Sequence, residues 1–201
     1  MRETPTRPHG IQLFDDAESL GAGVAAFVRE GVVQNDCVLV VTSPRHWTSI
    51  DSALRRDGTD VDAFRDAGML VVADSQEMLG RFLRRGRPDE ALFKAAIGPA
   101  IQALIRRGGG LRVYGDMVDI LAAEGNLRGA IQLEELWNSQ LTENAFSLFC
   151  GYSASSFGHP RDAGQLSEIC HLHTDVQSSP RDVLGGFLVR EHIDRPALPE
   201  A

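Results

Sequence analysis

Apolar residues occur along the chain in short runs that alternate with longer segments of helical periodicity. The run at 37–41 is continuous and β-branched, which is typical of a strand buried on both faces. Similar runs predict further strands at 11–14, 69–73, 111–114 and 146–152. Because strands and helical segments alternate, we predict one three-layer α/β domain, with a mostly parallel central sheet of about five strands and helices on both faces.

The helical segments are bounded by capping residues and glycines. They predict helices at about 17–30, 47–56, 61–67, 75–83, 89–107, 127–140 and 162–174. Pro99 falls inside one of them and predicts a kink there. We therefore expect a domain over residues 1–175 and a tail over 176–201, with an apolar patch at 183–189.

The amino-acid composition limits the kinds of partner and the cellular compartment that we expect for this protein. The net charge of −8 disfavours direct nucleic-acid binding, which needs a basic surface. No apolar run approaches the length of about 20 residues that a membrane span needs. The first ten residues lack the apolar segment of a secretory signal, so we expect a cytoplasmic protein. An odd number of cysteines, three, predicts reduced thiols, with Cys37 and Cys150 in the core.

The distribution of lysine excludes the usual phosphate-binding loop. Lys94 is the only lysine of the chain, and no glycine-rich loop precedes it. A P-loop needs a lysine that reaches the β- and γ-phosphates and a hydroxyl that holds Mg²⁺. The sequence therefore has no complete P-loop motif.

In an open parallel sheet, ligands bind beyond the carboxyl ends of the strands. This rule selects polar and aromatic residues that follow the predicted strands. The candidate ligand-binding residues chosen in this way are Ser43, Arg45, His46, Trp47, Asp74, Tyr114, Gly115, Asp116 and Tyr152.

A second set of candidates lies on one predicted helix. Glu134, Trp137 and Asn138 are spaced i, i+3 and i+4, so they share a face that could line a ligand pocket. The alternative interpretation is that Trp137 belongs to the core and that Glu134 caps a helix or pairs with an arginine.

Cys170, His171 and His173 offer metal-ligand side chains within four residues. Only Cys170 and His173 would share a helix face, and two ligands do not make a metal site. We favour a structural role in which His173 is hydrogen-bonded near a helix end. We therefore expect no metal site and no other cofactor.

Several sequence segments, taken in their order along the chain, resemble the MEDS domain. This sensory domain is named for methanogens, methylotrophs and a dichloromethane-responsive repressor. The residues that carry the resemblance lie at 9–16, 27–33, 86–89, 112–118, 133–138 and 146–152. Two positions depart from the family pattern. Asp116 stands where the family commonly has glutamate, and Asn35 stands where it usually has glycine.

The resemblance implies a fold like that of RecA- and KaiC-type ATPases with a degenerate phosphate loop. Residues 42–47 would lie where the P-loop stands in those enzymes, and residues 114–116 where an acidic strand end binds Mg²⁺. The family is thought to sense small molecules such as one-carbon or hydrocarbon derivatives.

From the residues and the resemblance together, we expect a non-enzymatic sensory or regulatory domain. It would bind a small molecule at the carboxyl ends of the strands and signal to a separate protein, such as a kinase, an anti-sigma-type factor or a transcriptional regulator, or assemble with copies of itself. Two alternatives stay open. One is a residual nucleotide-binding protein that keeps Asp116 for Mg²⁺, and the other is a pure interaction module that uses the patch at 183–189.

Overall fold

The computed structural model of the chain describes residues 8–159 and 162–178. The strands are β1 (His9–Phe14), β2 (Cys37–Thr42), β3 (Leu70–Asp74), β4 (Leu83–Arg84), β5 (Arg87–Pro88), β6 (Leu111–Gly115), β7 (Ser147–Ser153) and β8 (Asp175–Ser178). The helices are α1 (Ala17–Gln34), α2 (Pro44–Arg56), α3 (Val61–Asp66), α4 (Ser75–Phe82), α5 (Glu90–Ile105), α6 (Met117–Ala123), α7 (Leu127–Glu143) and α8 (Ala163–His171). A short 3₁₀ turn, Ala154–Phe157, follows β7.

Six strands form the central sheet in the order β3-β2-β6-β7-β1-β8. All of the strand pairs within it are parallel. The remaining strands, β4 and β5, form a small antiparallel hairpin. The α/β class and the parallel central sheet predicted from the sequence are therefore confirmed.

Successive side chains of β2 point to two different buried cores, which explains why its sequence is one continuous apolar run. Val38 and Val40 face a core that α1, α2 and α3 share. Cys37, Leu39 and Val41 face a second core that α4 to α8 cover. Because both faces are buried, neither set of positions can be polar, and the period-2 signal of a strand disappears.

Local chemistry sets the limits of the first two helices. The side chain of Asp16 accepts a hydrogen bond from the backbone N–H of Ser19, and the hydroxyl of Ser19 accepts one from the backbone N–H of Asp16, so α1 begins with a capping box. Asn35 ends α1 with a left-handed backbone, φ 58°. Asparagine tolerates this conformation better than most residues.

The structure differs from the sequence prediction at four places. α2 begins at Pro44 rather than at residue 47, because Ser43 caps it and proline suits the first turn. The helix α6 was not predicted. A sixth strand, β8, covers the start of the expected tail, and the hairpin β4–β5 was not predicted. The patch at 183–189 lies outside the described residues.

Arg112 is a charged residue in a buried strand, and a set of partners at the amino end of β6 compensates it. Its guanidinium contacts Asp36 at 3.1 Å and Glu30 at 2.8 Å. It also lies over the ring of Phe27, 5.2 Å from the centroid. The cluster ties the end of α1 to β6, because a buried charge needs paired and hydrogen-bonded partners.

Within residues 8–159 and 162–178, no helix combines the length and the apolar character that a membrane crossing requires.

Gly151 makes room for the largest side chain on the α1 face of the sheet. A Cβ atom at position 151 would run into the hydroxyl of Tyr114, whose ring is fully buried. We expect Gly151→Ala to lower the free energy of unfolding by about 1–3 kcal/mol, as overpacking usually does. Urea denaturation measures the change.

Gly80→Ala is the matched control for this substitution. Gly80 lies in α4 with open space around its missing Cβ, so alanine should leave stability unchanged or raise it by up to about 1 kcal/mol. Equal effects of the two substitutions would contradict the packing argument.

Candidate functional site

The carboxyl ends of β2 and β6 form a crevice at the middle of the sheet. β2 leads into α2, which packs on the face that α1 covers. β6 leads into α6, which packs on the opposite face. Since β2 and β6 are hydrogen-bonded neighbours, their chains separate at this point. The chain after β2 turns to one face of the sheet and the chain after β6 turns to the other. Open α/β sheets bind ligands at such a point.

Asp116 is the central side chain of this crevice. Its carboxylate Oδ2 accepts hydrogen bonds from the hydroxyl of Thr42, at 2.5 Å, and from Nδ1 of His46, at 2.8 Å. Thr42 ends β2 and His46 lies in the first turn of α2, so both donors come from the neighbouring strand connection. Asp116 is 2% exposed, whereas the side chain of His46 is 21% exposed.

Two buried polar atoms near the crevice have no hydrogen-bond partner among the described residues. They are the second carboxylate oxygen of Asp116, Oδ1, and the hydroxyl of Tyr114. Burial, and then the carboxylate of Asp116, raise the pKa of Tyr114 well above its ordinary value. An unsatisfied buried acceptor costs about 1–3 kcal/mol, so Asp116 Oδ1 would gain from a donor group.

A second carboxylate, Asp119, extends the crevice toward the end of β7. Its Oδ1 accepts from the backbone N–H of Ser153 and from the hydroxyl of Ser156, both at 2.9 Å. Burial raises the pKa of Asp119 above its ordinary value, and these two hydrogen bonds offset part of that rise. The charge of Asp116 raises the pKa further. The sequence reasoning missed Asp119, although it lies only three residues after Asp116.

The predicted strand-end residues behave differently from one another. Ser43 and Asp74 act as helix caps, for α2 and α4 respectively. Arg45 is exposed in the first turn of α2, and Trp47 packs against the core beside α1. The remaining strand-end candidate of this group, Gly115, has open space where a Cβ would be.

Trp137 lies in the core rather than on an accessible wall. Its ring is 1% exposed and meets Phe93 edge-on at 5.1 Å between centroids. The structure therefore agrees with the alternative interpretation, in which Trp137 belongs to the core. Tyr114 is likewise fully buried, so neither aromatic side chain is exposed at the crevice.

Glu134, Asn138 and Tyr152 belong to a separate cluster under α7 and α8, in which Glu134 and Tyr152 are fully buried and Asn138 is partly exposed. The Tyr152 hydroxyl donates to Oε1 of Glu134 at 2.9 Å. The cluster is completed by three residues that the sequence did not bring together, His9, Cys150 and His173. The expected hydrogen bond of His173 near a helix end is confirmed, since Nδ1 donates to the carbonyl of Ile169 at the end of α8.

The electrostatics of this cluster follow from its burial. Burial alone would raise the pKa of Glu134, but His173 and then His9 outweigh it and hold that pKa well below its usual range. Burial, and then the carboxylate of Glu134, raise the pKa of the Cys150 thiol well above its usual value. Cys37, Cys150 and Cys170 are all buried free thiols, as the odd cysteine count predicted.

A cavity of about 270 Å³ lies on the α1 face of the sheet, away from Asp116. Its lining includes Ala26 and Phe27 of α1, Arg112 of β6, and Phe149 of β7. Sequence reasoning did not anticipate this cavity, because its wall is assembled from residues distant along the chain.

Comparison with known families gives one finding. Residues 8–174 match the model of the MEDS family, described as the MEthanogen/methylotroph, DcmR Sensory domain. The match spans most of the chain and includes both the crevice and the enclosed cluster. No match was found among curated proteins.

The hydrogen bonds that Asp119 accepts from Ser153 and Ser156 connect α6 to the end of β7. Substitutions of Asp119 test this connection. Asp119→Asn keeps an acceptor for Ser153 and Ser156 and removes a partly buried charge. Because the folded-state pKa of Asp119 is raised, the wild type loses stability as the pH rises through that pKa. We expect the Asn variant to be at least as stable as the wild type at pH ~7 and to lose its advantage by pH ~4.

Urea denaturation at the two pH values measures this difference in free energy. Asp119→Ala should instead destabilise the protein by about 1–3 kcal/mol, because it leaves the donors of Ser153 and Ser156 without their acceptor. Asp15→Asn, at an exposed carboxylate on the same sheet edge, controls for the lost charge. An Asn variant that is no more stable than the Ala variant would refute the role of Asp119 as an acceptor.

Proposed function

The chain belongs to the MEDS family of sensory domains, and we propose that it senses a small molecule at the crevice between β2 and β6. The observation that supports this proposal is the buried Oδ1 of Asp116, an acceptor without a donor at the switch point of the sheet. A ligand that places a hydroxyl or ammonium donor there would satisfy it. No bond of the ligand needs to be broken for this role.

Arg45 adds a second element to the proposed recognition. It lies beside His46 in the first turn of α2 and its side chain is exposed. A guanidinium offers a fork of donors to an anionic group. Small hydroxy acids, amino acids, alcohols and amines are therefore the compounds to test first.

Signalling would come from a movement of the first turn of α2. Asp116 is almost fully buried, and His46 covers one side of it. A ligand that reaches Oδ1 must displace this turn, so it would favour a conformation with α2 shifted. A ligand changes an equilibrium only through different affinities for two conformations. We propose that a separate partner protein, in the cytoplasm, recognises the shifted state.

Residual nucleotide binding is the second candidate, and one contact favours it. The bond between Thr42 and Asp116 pairs a hydroxyl and a carboxylate, the side chains that hold Mg²⁺ in P-loop enzymes. However, Ser43 is the only residue between β2 and α2, so little backbone is available to surround a phosphate chain. We therefore rank this function below the sensing of a small molecule.

A thermal-shift screen with the four compound classes tests the proposal. A compound at 100 times its dissociation constant stabilises the fold by about 2.7 kcal/mol, which raises the melting temperature by roughly 5–10 °C. We expect Asp116→Asn to abolish the response, because an amide places a donor where the ligand donates. Asp15→Asn should retain it.

Three outcomes would change the proposal. No response to any compound would leave the crevice without a sensing role. A response that survives Asp116→Asn and disappears in Ala26→Phe, which fills the cavity on the α1 face, would move the ligand there. Calorimetric binding of Mg-ATP that Asp116→Ala abolishes would favour the nucleotide alternative.

A further inference from the structure

We propose that His9, Glu134, Cys150 and His173 form a closed site for Zn²⁺ beneath α7 and α8. This site is distinct from the crevice at Asp116 and does not depend on the proposed sensing function. One nitrogen, sulfur or oxygen atom from each of the four residues lies within 4.8 Å of all the others. All four residues are buried, and each belongs to a different part of the chain.

Nε2 of His9, Sγ of Cys150 and Oε2 of Glu134 lie as close to one another as the ligands around a tetrahedral ion. Nε2 of His9 lies 3.4 Å from Sγ of Cys150 and 3.4 Å from Oε2 of Glu134. Nε2 of His173 lies 3.4 Å from Oε1 of Glu134. Zinc bonds of about 2.0–2.3 Å in a tetrahedron separate neighbouring ligand atoms by about 3.3–3.8 Å. The N···O separations exceed the usual range of N–H···O hydrogen bonds, about 2.7–3.2 Å.

Outer hydrogen bonds orient both imidazole rings for coordination through Nε2. Nδ1 of His173 donates to the carbonyl of Ile169 at 2.7 Å. Nδ1 of His9 donates to Oδ1 of Asn138 at 2.9 Å, and the amide nitrogen of Asn138 donates to the carbonyl of Leu172. With the proton on Nδ1, each neutral ring directs its Nε2 lone pair into the cluster. Metal-ligating histidines are held in this way.

A cation would satisfy the groups that face into this cluster. Nε2 of His173 is buried with no hydrogen-bond partner in the part of the chain that is described. Neutral rings would direct lone pairs at a carboxylate, so acceptors would face acceptors. Zn²⁺ would accept electron pairs from both rings, from Glu134 and from the Cys150 thiolate.

Charge and ligand chemistry both favour zinc. Binding would displace the thiol proton of Cys150 to solvent, so one Zn²⁺, one thiolate and one carboxylate sum to zero in a buried site. Thiolate and imidazole ligands together suit zinc better than magnesium or calcium. Four protein ligands and no exposed position are typical of a structural zinc site rather than a catalytic one.

The site would connect the elements at one side of the sheet. His9 begins β1, Cys150 lies in β7, Glu134 lies in α7, and His173 stands between α8 and β8. The ion would fix the segment after α8 to the sheet immediately before β8 begins.

Metal analysis and cobalt substitution test the proposal on the full chain. We expect protein from zinc-supplemented cells to contain one zinc per chain. Protein from cobalt-supplemented minimal medium should show the thiolate-to-cobalt charge-transfer band and the visible bands of tetrahedral cobalt. Cys150→Ser should lose the charge-transfer band, and Cys170→Ser should keep it because Cys170 lies outside the cluster.

The hydrogen bond between Nδ1 of His9 and Oδ1 of Asn138 suggests a second pair of variants to compare. Asn138→Ala should weaken zinc binding by about 10- to 100-fold in competition with a chromogenic indicator. Ser139→Ala, its neighbour on α7, should leave the affinity unchanged. An equal loss in both variants would argue for a general weakening of the helix and against the outer role of Asn138.

Wild-type protein that is folded by circular dichroism, contains less than a tenth of an equivalent of zinc and shows no cobalt–thiolate band would overturn the proposal. The cluster would then be a network of side chains around Glu134 without an ion. A band that persists in Cys150→Ser would also refute the assignment. Neither test requires a variant that lacks one of the histidine ligands.

Discussion

A parallel sheet must be covered on both faces, and most features of this protein depend on that requirement. Strands that run in the same direction need long connections, and each connection here carries at least one helix over the sheet. The connections from β1 and β2 run toward one edge and cover one face. Those from β3, β6 and β7 run toward the other edge and cover the opposite face. The reversal creates the crevice where β2 and β6 end.

The buried acidic, basic and histidine side chains of the described residues lie at three places. Arg112 and its acidic partners lie at the amino end of β6, where α1 ends. Asp116 lies at the carboxyl end of the same strand with Thr42 and His46. Glu134 lies under α7 with two histidines and a thiol. Arg112 has its acidic partners, whereas Asp116 and His173 each keep one buried atom without a hydrogen-bond partner among the described residues. Those two are the sites for which we propose ligands.

The two proposed sites would serve different purposes because their access differs. His46 is partly exposed beside Asp116, so the movement of one helical turn would open the crevice. Glu134 and His173 are enclosed by strands and helices on every side. An ion in such a place would contribute to the fold, whereas a ligand at the crevice can exchange with solvent.

The sequence by itself determined the α/β class, the strands of the sheet interior and most of the helices. Runs such as 37–41 are visible because both faces of those strands are buried, and caps such as Asp16 act through neighbours three residues away. It also indicated Asp116 and His46, since the carboxyl ends of parallel strands meet at one edge. The edge strand β8 has only one apolar residue, Val176, and leaves no such signal.

Tertiary structure alone decided which side chains meet. Glu134 and Asn138 share a helix face with Trp137, yet the first two contact His9 and His173, and the third packs on Phe93. Helical spacing fixes the face but not the neighbour, because the neighbour depends on strand order. His9 and Cys150 are 141 residues apart and meet because β1 pairs with β7. No local pattern encodes that pairing, since it results from how the whole chain covers both faces of one sheet.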